Sequence, residues 1–326
     1  MSATIRIETR LGSKEKWDHF LFRWGYKRSE HSVAPGLYSV GAPSPESSVF
    51  VSANLTLSFD ALRSSLDGMS AYVLVLDTKG INVWCAAGKG TFGTEEVIKR
   101  IKACELDKVV SHRKVILPQL AAPGVNALDV KKSTGFQVQW GPVRTKDIPE
   151  FMRQGKATPE MRKVTFTLRE RAVLVPVEIV HTFLYMAFFS LLAFLLGGLV
   201  LALAAVAVIL GGVALFPLLL PFLPTHEFSS KGTILGILLS LPFSLYSLTL
   251  GHAVDLELVV RVLAFALLMA PWVSFLALNF TGCSTYTSRT GVRKEIFRWI
   301  PVMAIMFVAG VVLGIVSHFA GMGGML

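Results

Sequence analysis

The sequence predicts an α/β Rossmann-like domain followed by an all-α transmembrane domain of five helices. Three observations carry this expectation. Strand-like and helix-like segments alternate between residues 48 and 154, the pattern of a layered α/β domain. Charge is unevenly shared: residues 1–171 hold 26 Lys and Arg against 17 Asp and Glu, and the remainder only 6 against 5. From Ala172 onward long apolar stretches take over, and they raise the mean hydropathy to +0.56.

Within the first half, residues 1–34 read as an N-terminal extension and 35–165 as a cytoplasmic domain. Residues 48–57 (SVFVSANLTL) and 71–78 (AYVLVLDT) are rich in β-branched and apolar residues and predict strands. A helix is expected between them, from Phe59 to Leu66. Thr94 is a helix N-cap candidate, and Glu95 and Glu96 behind it suit the positive end of the helix dipole, so a helix is expected to about Cys104. Strands at 114–120 and 136–143 and helices near 124–132 and 147–154 complete the alternation. Such alternation predicts a parallel sheet, whose ligands bind beyond the carboxyl ends of the strands. Those ends are the loops 52–58, 79–93, 118–125 and 140–146.

Residues 166–326 form the expected transmembrane domain. A spanning helix needs about 20 mostly apolar residues. Spans are predicted at about 172–196, 198–223, 233–251, 257–278 and 299–320, the first two folded into a hairpin at Gly197-Gly198. With residues 1–171 inside, no outer connection carries Lys or Arg. Lys231, Arg289, Arg293, Lys294 and Arg298 then all fall on the inner side. That is the positive-inside distribution of a multi-pass protein of the cytoplasmic (inner) membrane. Ionisable residues inside the spans are few, which favours an anchor over the alternative of a transporter with a cytoplasmic sensor domain.

Several chemistries are disfavoured. The three cysteines, Cys85, Cys104 and Cys283, form no C-x-x-C pair, so neither a zinc site nor an iron–sulfur cluster is expected in this chain. The first residues, MSATIRIETR, lack the apolar core of a signal peptide. The basic balance suits anionic membrane lipid, and with no nucleic-acid-binding motif no nucleic-acid partner is expected. Gly88-x-Gly90-x-x-Gly93 matches the dinucleotide fingerprint in letters. It does not follow its strand directly, and His112, Arg113 and Lys114 stand where the ribose-binding carboxylate belongs.

Cys85 lies in a different setting from the other two cysteines. It sits in Asn82-Val83-Trp84-Cys85-Ala86-Ala87-Gly88-Lys89, between a strand and a small-residue run. A buried packing cysteine accounts for such a residue about as readily. Against that, Ala86, Ala87 and Gly88 remove bulk and let a large flat ligand approach the backbone, while Lys89 adds a neighbouring cation of the kind found beside metal-binding thiolates. Cys104 reads as a packing residue at a helix end.

NVWCAAGK followed by GTFGTEE resembles the signature of HgcA, the corrinoid protein family of the mercury-methylating pair. SANLTLSFDALR, LVLDTKGI, LPQLAAPGV and GPVR also resemble the large subunit of the corrinoid iron–sulfur protein of the acetyl-CoA pathway, and the likeness spans most of residues 35–155. The resemblance implies a corrinoid-binding domain carrying cobalamin or a related corrinoid. It implies Cys85 as catalytic residue and lower axial ligand of cobalt, on a cap helix whose other members are Asn82, Val83, Trp84, Ala86, Ala87, Gly88, Lys89 and Gly90. Ser52, Asn54 and Ser58 are weaker candidates for polar contacts with the macrocycle, and turn or capping roles suit them equally. The implied activity is methyl transfer to Hg(II), giving methylmercury, with cobalt cycling between Co(I) and methyl-Co(III). The implied partners are a methyl-folate donor or its methyltransferase and a ferredoxin-like electron donor with two four-iron clusters. The alternative is a membrane-anchored methyl carrier of one-carbon metabolism. The 279–298 connection, with Cys283, is an expected polar inner loop.

Overall fold

A computed structural model describes residues 4–249, 256–284 and 288–319. The chain divides into two compact units, Met1–Thr165 and Phe166–Leu326.

The first unit is built on a six-stranded sheet: β1 (Ile5–Ile7), β2 (Gly36–Val40), β3 (Val49–Ala53), β4 (Ala71–Leu76), β5 (Lys114–Leu117) and β6 (Gln137–Trp140), in the order β1-β2-β4-β3-β5-β6. Neighbours among β4, β3, β5 and β6 are parallel, but β2 runs antiparallel to β4. The sheet is therefore mixed rather than parallel throughout. The physical reason is connection length. A parallel return needs a crossover of about a dozen residues or more, and the short link 41–48 turns the chain back instead. Residues 5–7, expected to lie in a separate extension, pair with β2 as an edge strand. Behind them, helix α1 (Ser13–Arg23) belongs to the same unit.

Strands β3 and β4 are buried along their whole length, because helices cover both faces. On one face Val49, Val51, Leu74 and Leu76 pack with Val97 and Ile101 of α4 (Thr94–Ala103). On the other, Phe50, Val73 and Val75 pack with Phe59 and Leu62 of α2 (Thr56–Ser65) and with Phe151. Alternate residues of a strand point to opposite faces, so near-continuous apolar runs feed two separate cores.

Element limits differ from the sequence expectation at specific residues. β3 ends at Ala53 and α2 begins at Thr56, three residues before Phe59. β5 stops before Pro118 and β6 before Gly141-Pro142, where proline removes a ladder donor. Gly93, not Thr94, is the N-cap of α4. The Thr94 hydroxyl instead accepts the backbone N–H of Asn126 at 2.9 Å. Asn126 in turn caps α6 (Ala127–Thr134), its side chain accepting from Leu128 and Asp129. Between these helices lies the short α5 (Leu106–Val109), and the domain closes with α7 (Ile148–Gln154).

The second unit is helical: α8 (Leu168–Ala172), α9 (Val175–Leu210), a π-helical turn at Gly211–Leu215, α10 (Phe216–Leu219), α11 (Phe228–Thr249), α12 (Leu256–Asn279) and α13 (Arg289–Phe319). Four segments are long and apolar enough to cross a membrane: Leu168–Leu219, Phe228–Tyr246, Leu258–Gly282 and Thr290–Val316. The expected count was five. The difference lies in the first segment, whose 52 residues contain non-helical backbone at Gly197 and Gly198, the latter at φ 73. The Ser190 hydroxyl donates to the Ala202 carbonyl at 3.4 Å across this break. Twelve residues of straight helix would separate these groups by about 18 Å, so the chain doubles back there. Large apolar side chains such as Leu184, Leu195 and Phe188 stand exposed along the segment.

The α11–α12 pair approaches closely at glycines, since a Cβ on Gly236 would lie 2.5 Å from Ala270 Cα. α13 begins ten residues before the expected span at 299, so most of the predicted 279–298 loop is helix. Its Glu295, buried, accepts the Ser229 N–H in the first turn of α11 at 2.5 Å. The outer connection expected at 251–257 and the Cys283 side chain fall largely outside the described residues.

Candidate functional site

The four parallel strands β4-β3-β5-β6 stand in the order 2-1-3-4 of a doubly wound sheet, with the reversal between β3 and β5. Ligands on such sheets bind at that switch point, outside the carboxyl ends of the strands. A shallow open cleft lies there, lined by Ser52 at the end of β3, Ser58 and Leu62 of α2, Pro118 after β5, and Pro142 and Thr145 after β6. Val83 also lines it. It is the first residue of α3 (Val83–Lys89), the helix that carries the cysteine motif.

Strand ends alone placed the motif in a loop between residues 79 and 93, whereas the resemblance implied a helix; the structure folds Val83–Lys89 into a helix, with Asn82 and Gly90 as its caps. Asn82 is the N-cap, and its side-chain oxygen accepts the Cys85 N–H at 2.9 Å. Gly90 closes the helix at φ 86, a left-handed conformation that glycine adopts at no steric cost. The turn leading into α3 is held by Asn54. Its Oδ1 accepts the N–H groups of Thr78 (3.1 Å) and Gly80 (2.9 Å) and lies 2.8 Å from the Thr78 hydroxyl. Both Asn54 and Thr78 are buried. On the far side, Glu96 of α4 accepts the Asp77 N–H at 2.9 Å. The exposed Lys79 ammonium bonds Asp77 and holds its carboxyl below the usual carboxylate range.

Successive residues of α3 are rotated by about 100°. Val83, Ala86 and Ala87 therefore share one side, and Ala86 and Ala87 are buried against the sheet. Gly124 permits this seat, since a Cβ there would lie 2.5 Å from the Phe92 carbonyl and 2.9 Å from that of Ala87. The opposite side presents Cys85 and Gly88 at its centre, flanked by Trp84 and the exposed Lys89. Cys85 is half-buried with a free thiol. A Cβ on Gly88 would meet nothing within 4 Å. The result is a small-residue helix face with one accessible soft donor, of a shape that admits a broad planar ligand. Among the described residues no group of three or more His, Cys, Asp or Glu converges.

The glycines do not form a dinucleotide turn. Gly88 is inside α3, Gly90 ends it, and Gly93 caps α4. Cys104 is buried at the end of α4, and burial pushes its thiol pKa up. Ser52 and Ser58 line the cleft as neighbours of Val83, whereas the carboxamide oxygen of Asn54 is committed to the turn below α3. The individual roles of Thr78, Glu96, Gly124 and Thr145 were not foreseen, although Glu96 was expected in the first turn of its helix and Gly124 and Thr145 lie in two of the expected strand-end loops. The Pro123-Gly124 pair carried a signal, as a turn, and it gave no hint that the turn seats α3.

Residues 25–152 match the family model described as CO dehydrogenase/acetyl-CoA synthase delta subunit. The chain is 32% identical over 129 residues to the acetyl-CoA decarbonylase/synthase complex subunit gamma of Methanopyrus kandleri, covering 39% of this chain and 28% of that protein. The corresponding subunit of Archaeoglobus fulgidus is 31% identical over 129 residues, covering 39% and 27%. The corrinoid/iron-sulfur protein large subunit of Moorella thermoacetica is 28% identical over 128 residues, covering 39% and 28%. The matched region thus spans little more than a quarter of each of these relatives. The α/β unit of this chain is related to a corrinoid protein family, that of the acetyl-CoA synthase and corrinoid/iron–sulfur subunits.

Proposed function

We propose that the chain is a membrane-anchored corrinoid protein of methyl transfer, with Cys85 as the lower axial ligand of cobalt and Hg(II) as the methyl acceptor. The observation that carries the reading is the outer face of α3, where a free, half-buried thiol stands beside the open Cα of Gly88. A bound corrinoid supplies a cobalt centre that can receive a methyl group and pass it on. The chain's part is to hold and tune it. Cys85 provides an anionic soft ligand that raises electron density at cobalt, and axial-ligand identity is the protein's main lever on a cofactor metal. Ala86 and Ala87 fix the helix on the sheet, Asn82 and Gly90 fix its ends, and Trp84 and Lys89 flank the ring.

With Cys85 as a thiolate ligand a bound corrinoid would be electron-rich and would suit methyl transfer to a soft electrophile; Hg(II) as that acceptor is what the resemblance of NVWCAAGK implies. The cysteine motif NVWCAAGK and the apolar second unit support it further. Under this reading five crossings anchor the protein in the cytoplasmic membrane with the α/β unit inside. A ferredoxin-like partner with two four-iron clusters supplies low-potential electrons, and a methyl-folate donor or its methyltransferase supplies the methyl group. A second reading, a methyl carrier of one-carbon metabolism, is favoured by the names of the relatives, which belong to acetyl-CoA decarbonylase/synthase complexes.

The test is the full chain purified after expression with cobalamin. Stoichiometric cobalt and a corrinoid absorption spectrum are expected. With reductant and methyl-folate donor present, methylmercury should form from Hg(II), and Cys85→Ala should abolish it. A protein without corrinoid sinks both readings. Loaded protein that methylates acetyl-CoA synthase partners but not Hg(II) selects the second.

A further inference from the structure

Helix α1 is inverted relative to an ordinary surface helix. Surface helices turn an apolar stripe to the core and a charged face to water. No residue of α1 is fully buried, and the side turned to the domain carries Glu15, Asp18 and His19 together with the half-buried Phe22. Glu15 lies 3.6 Å from Arg63, Asp18 pairs with His31 at 2.8 Å, and His19 pairs with the buried Asp60 at 2.8 Å. Arg63 bonds Asp60 at 2.6 Å and the Glu8 carbonyl at 2.7 Å, closing the network. These pairs fix the rotation of α1 and turn Trp17, Phe20 and Trp24 outward, while Phe22 packs edge-on against the buried His31.

The outward stripe is Trp17, Phe20 and Trp24, exposed by 61%, 47% and 45%. Trp17 and Phe20 stack at 5.2 Å, and Phe20 lies 5.9 Å from Trp24. Tyr26 is exposed beside them. The exposed charges of the helix, Lys14, Lys16 and Arg23, are all basic, because its two acids are consumed in the inward pairs. Trp and Tyr with Lys and Arg is the composition of segments that sit in a bilayer interface, where rings lie at headgroup depth and cations meet anionic lipid. The domain that carries α1 ends at Thr165, and the first segment able to cross a membrane begins at Leu168. Under the membrane reading above, this tether keeps α1 at high local concentration near lipid.

We propose that the Trp17–Phe20–Trp24 face of α1 is an interfacial docking surface for anionic phospholipid. It rests on the membrane reading of the second unit and is independent of what α3 binds. The network His19–Asp60–Arg63–Glu15 is its positioning element, since it decides which face of α1 looks outward.

The test places the photoreactive residue p-benzoylphenylalanine at Phe20 in the full chain, reconstituted in nanodiscs of phosphatidylglycerol or of phosphatidylcholine. Phe183, exposed in the first apolar segment, is the positive control, and Leu128, exposed on α6, the negative one. A lipid adduct at position 20 is expected in phosphatidylglycerol. Its yield should fall by up to about fivefold for each cation removed in Lys14→Gln and Lys16→Gln, the factor for one basic side chain at an anionic surface. Adducts at position 183 with none at position 20 would overturn the proposal. So would adducts from position 20 to protein alone, which would mean that the face docks on a polypeptide. Loss of adducts at position 183 as well would instead count against the membrane reading itself.

Discussion

Gly88→Ala separates the architecture of α3 from its use. Glycine inside a helix costs about 0.5–1 kcal/mol relative to alanine, because it gives up more backbone freedom on folding. At Gly88 the new Cβ meets nothing within 4 Å, so no clash offsets that gain. The free protein should therefore be stabilised locally by up to about 1 kcal/mol. In hydrogen exchange read by mass spectrometry, amides of 83–92 should exchange up to about fivefold more slowly. The opposite sign is expected for the ligand. A Cβ on the face proposed for the corrin ring would force ring and helix apart, and overpacking of this kind costs about 1–3 kcal/mol. That is a loss of roughly 5- to 150-fold in corrinoid affinity, measured by titration of the apo-protein. Gly88→Leu should abolish binding while the fold survives. Unchanged corrinoid affinity in both variants would refute the assignment of this face, and faster exchange in Gly88→Ala would refute the claim that the space is open.

Other outcomes follow from the same geometry. Asn82→Ala removes the N-cap of α3 and should cost about 1 kcal/mol of local stability, read as faster exchange at Val83–Lys89. Asn82→Asp, which keeps an acceptor for the Cys85 N–H, should restore it. Alkylation of the apo-protein with iodoacetamide near neutral pH should label Cys85 well before Cys104. Cys104 is 5% exposed, and burial raises its pKa and so lowers its thiolate fraction. Equal labelling would mean that α4 opens. Glu295→Ala orphans the buried Ser229 N–H and should lower the stability of the detergent-solubilised chain by about 1–3 kcal/mol, while Glu295→Gln, which keeps an acceptor, loses less. The Asp77–Lys79 pair predicts a small acid-side effect. A depressed carboxylate pKa stabilises the fold above the unfolded pKa and loses that contribution as pH falls through the folded value. Asp77→Asn should thus alter stability above the carboxylate range and converge with the native chain in acid, the gap staying small because Lys79 is largely exposed.

What could be read in the sequence was local or periodic. The apolar runs of 49–53 and 71–76 announce buried strands, the long apolar stretches announce helices fit for a membrane, and Gly197-Gly198 announces the reversal between two of them. Cys85 stood out in the sequence as a cysteine among small residues, and the resemblance implied a corrinoid as its ligand. Other features required the folded chain, because they depend on contacts between distant segments. That β2 pairs with β4 and not with β3, its neighbour in sequence, is a choice that no local pattern in Gly36–Val40 reveals. The outward aim of Cys85 follows from burial of Ala86 and Ala87 against a seat that Gly124 leaves open, 37 positions after Ala87 in the sequence. The inversion of α1 is decided by Asp60 and Arg63 on another helix. Sequence alone thus determined which residues could do chemistry, and tertiary packing decided which way they face, because a helix of given sequence can present either side until its neighbours select one.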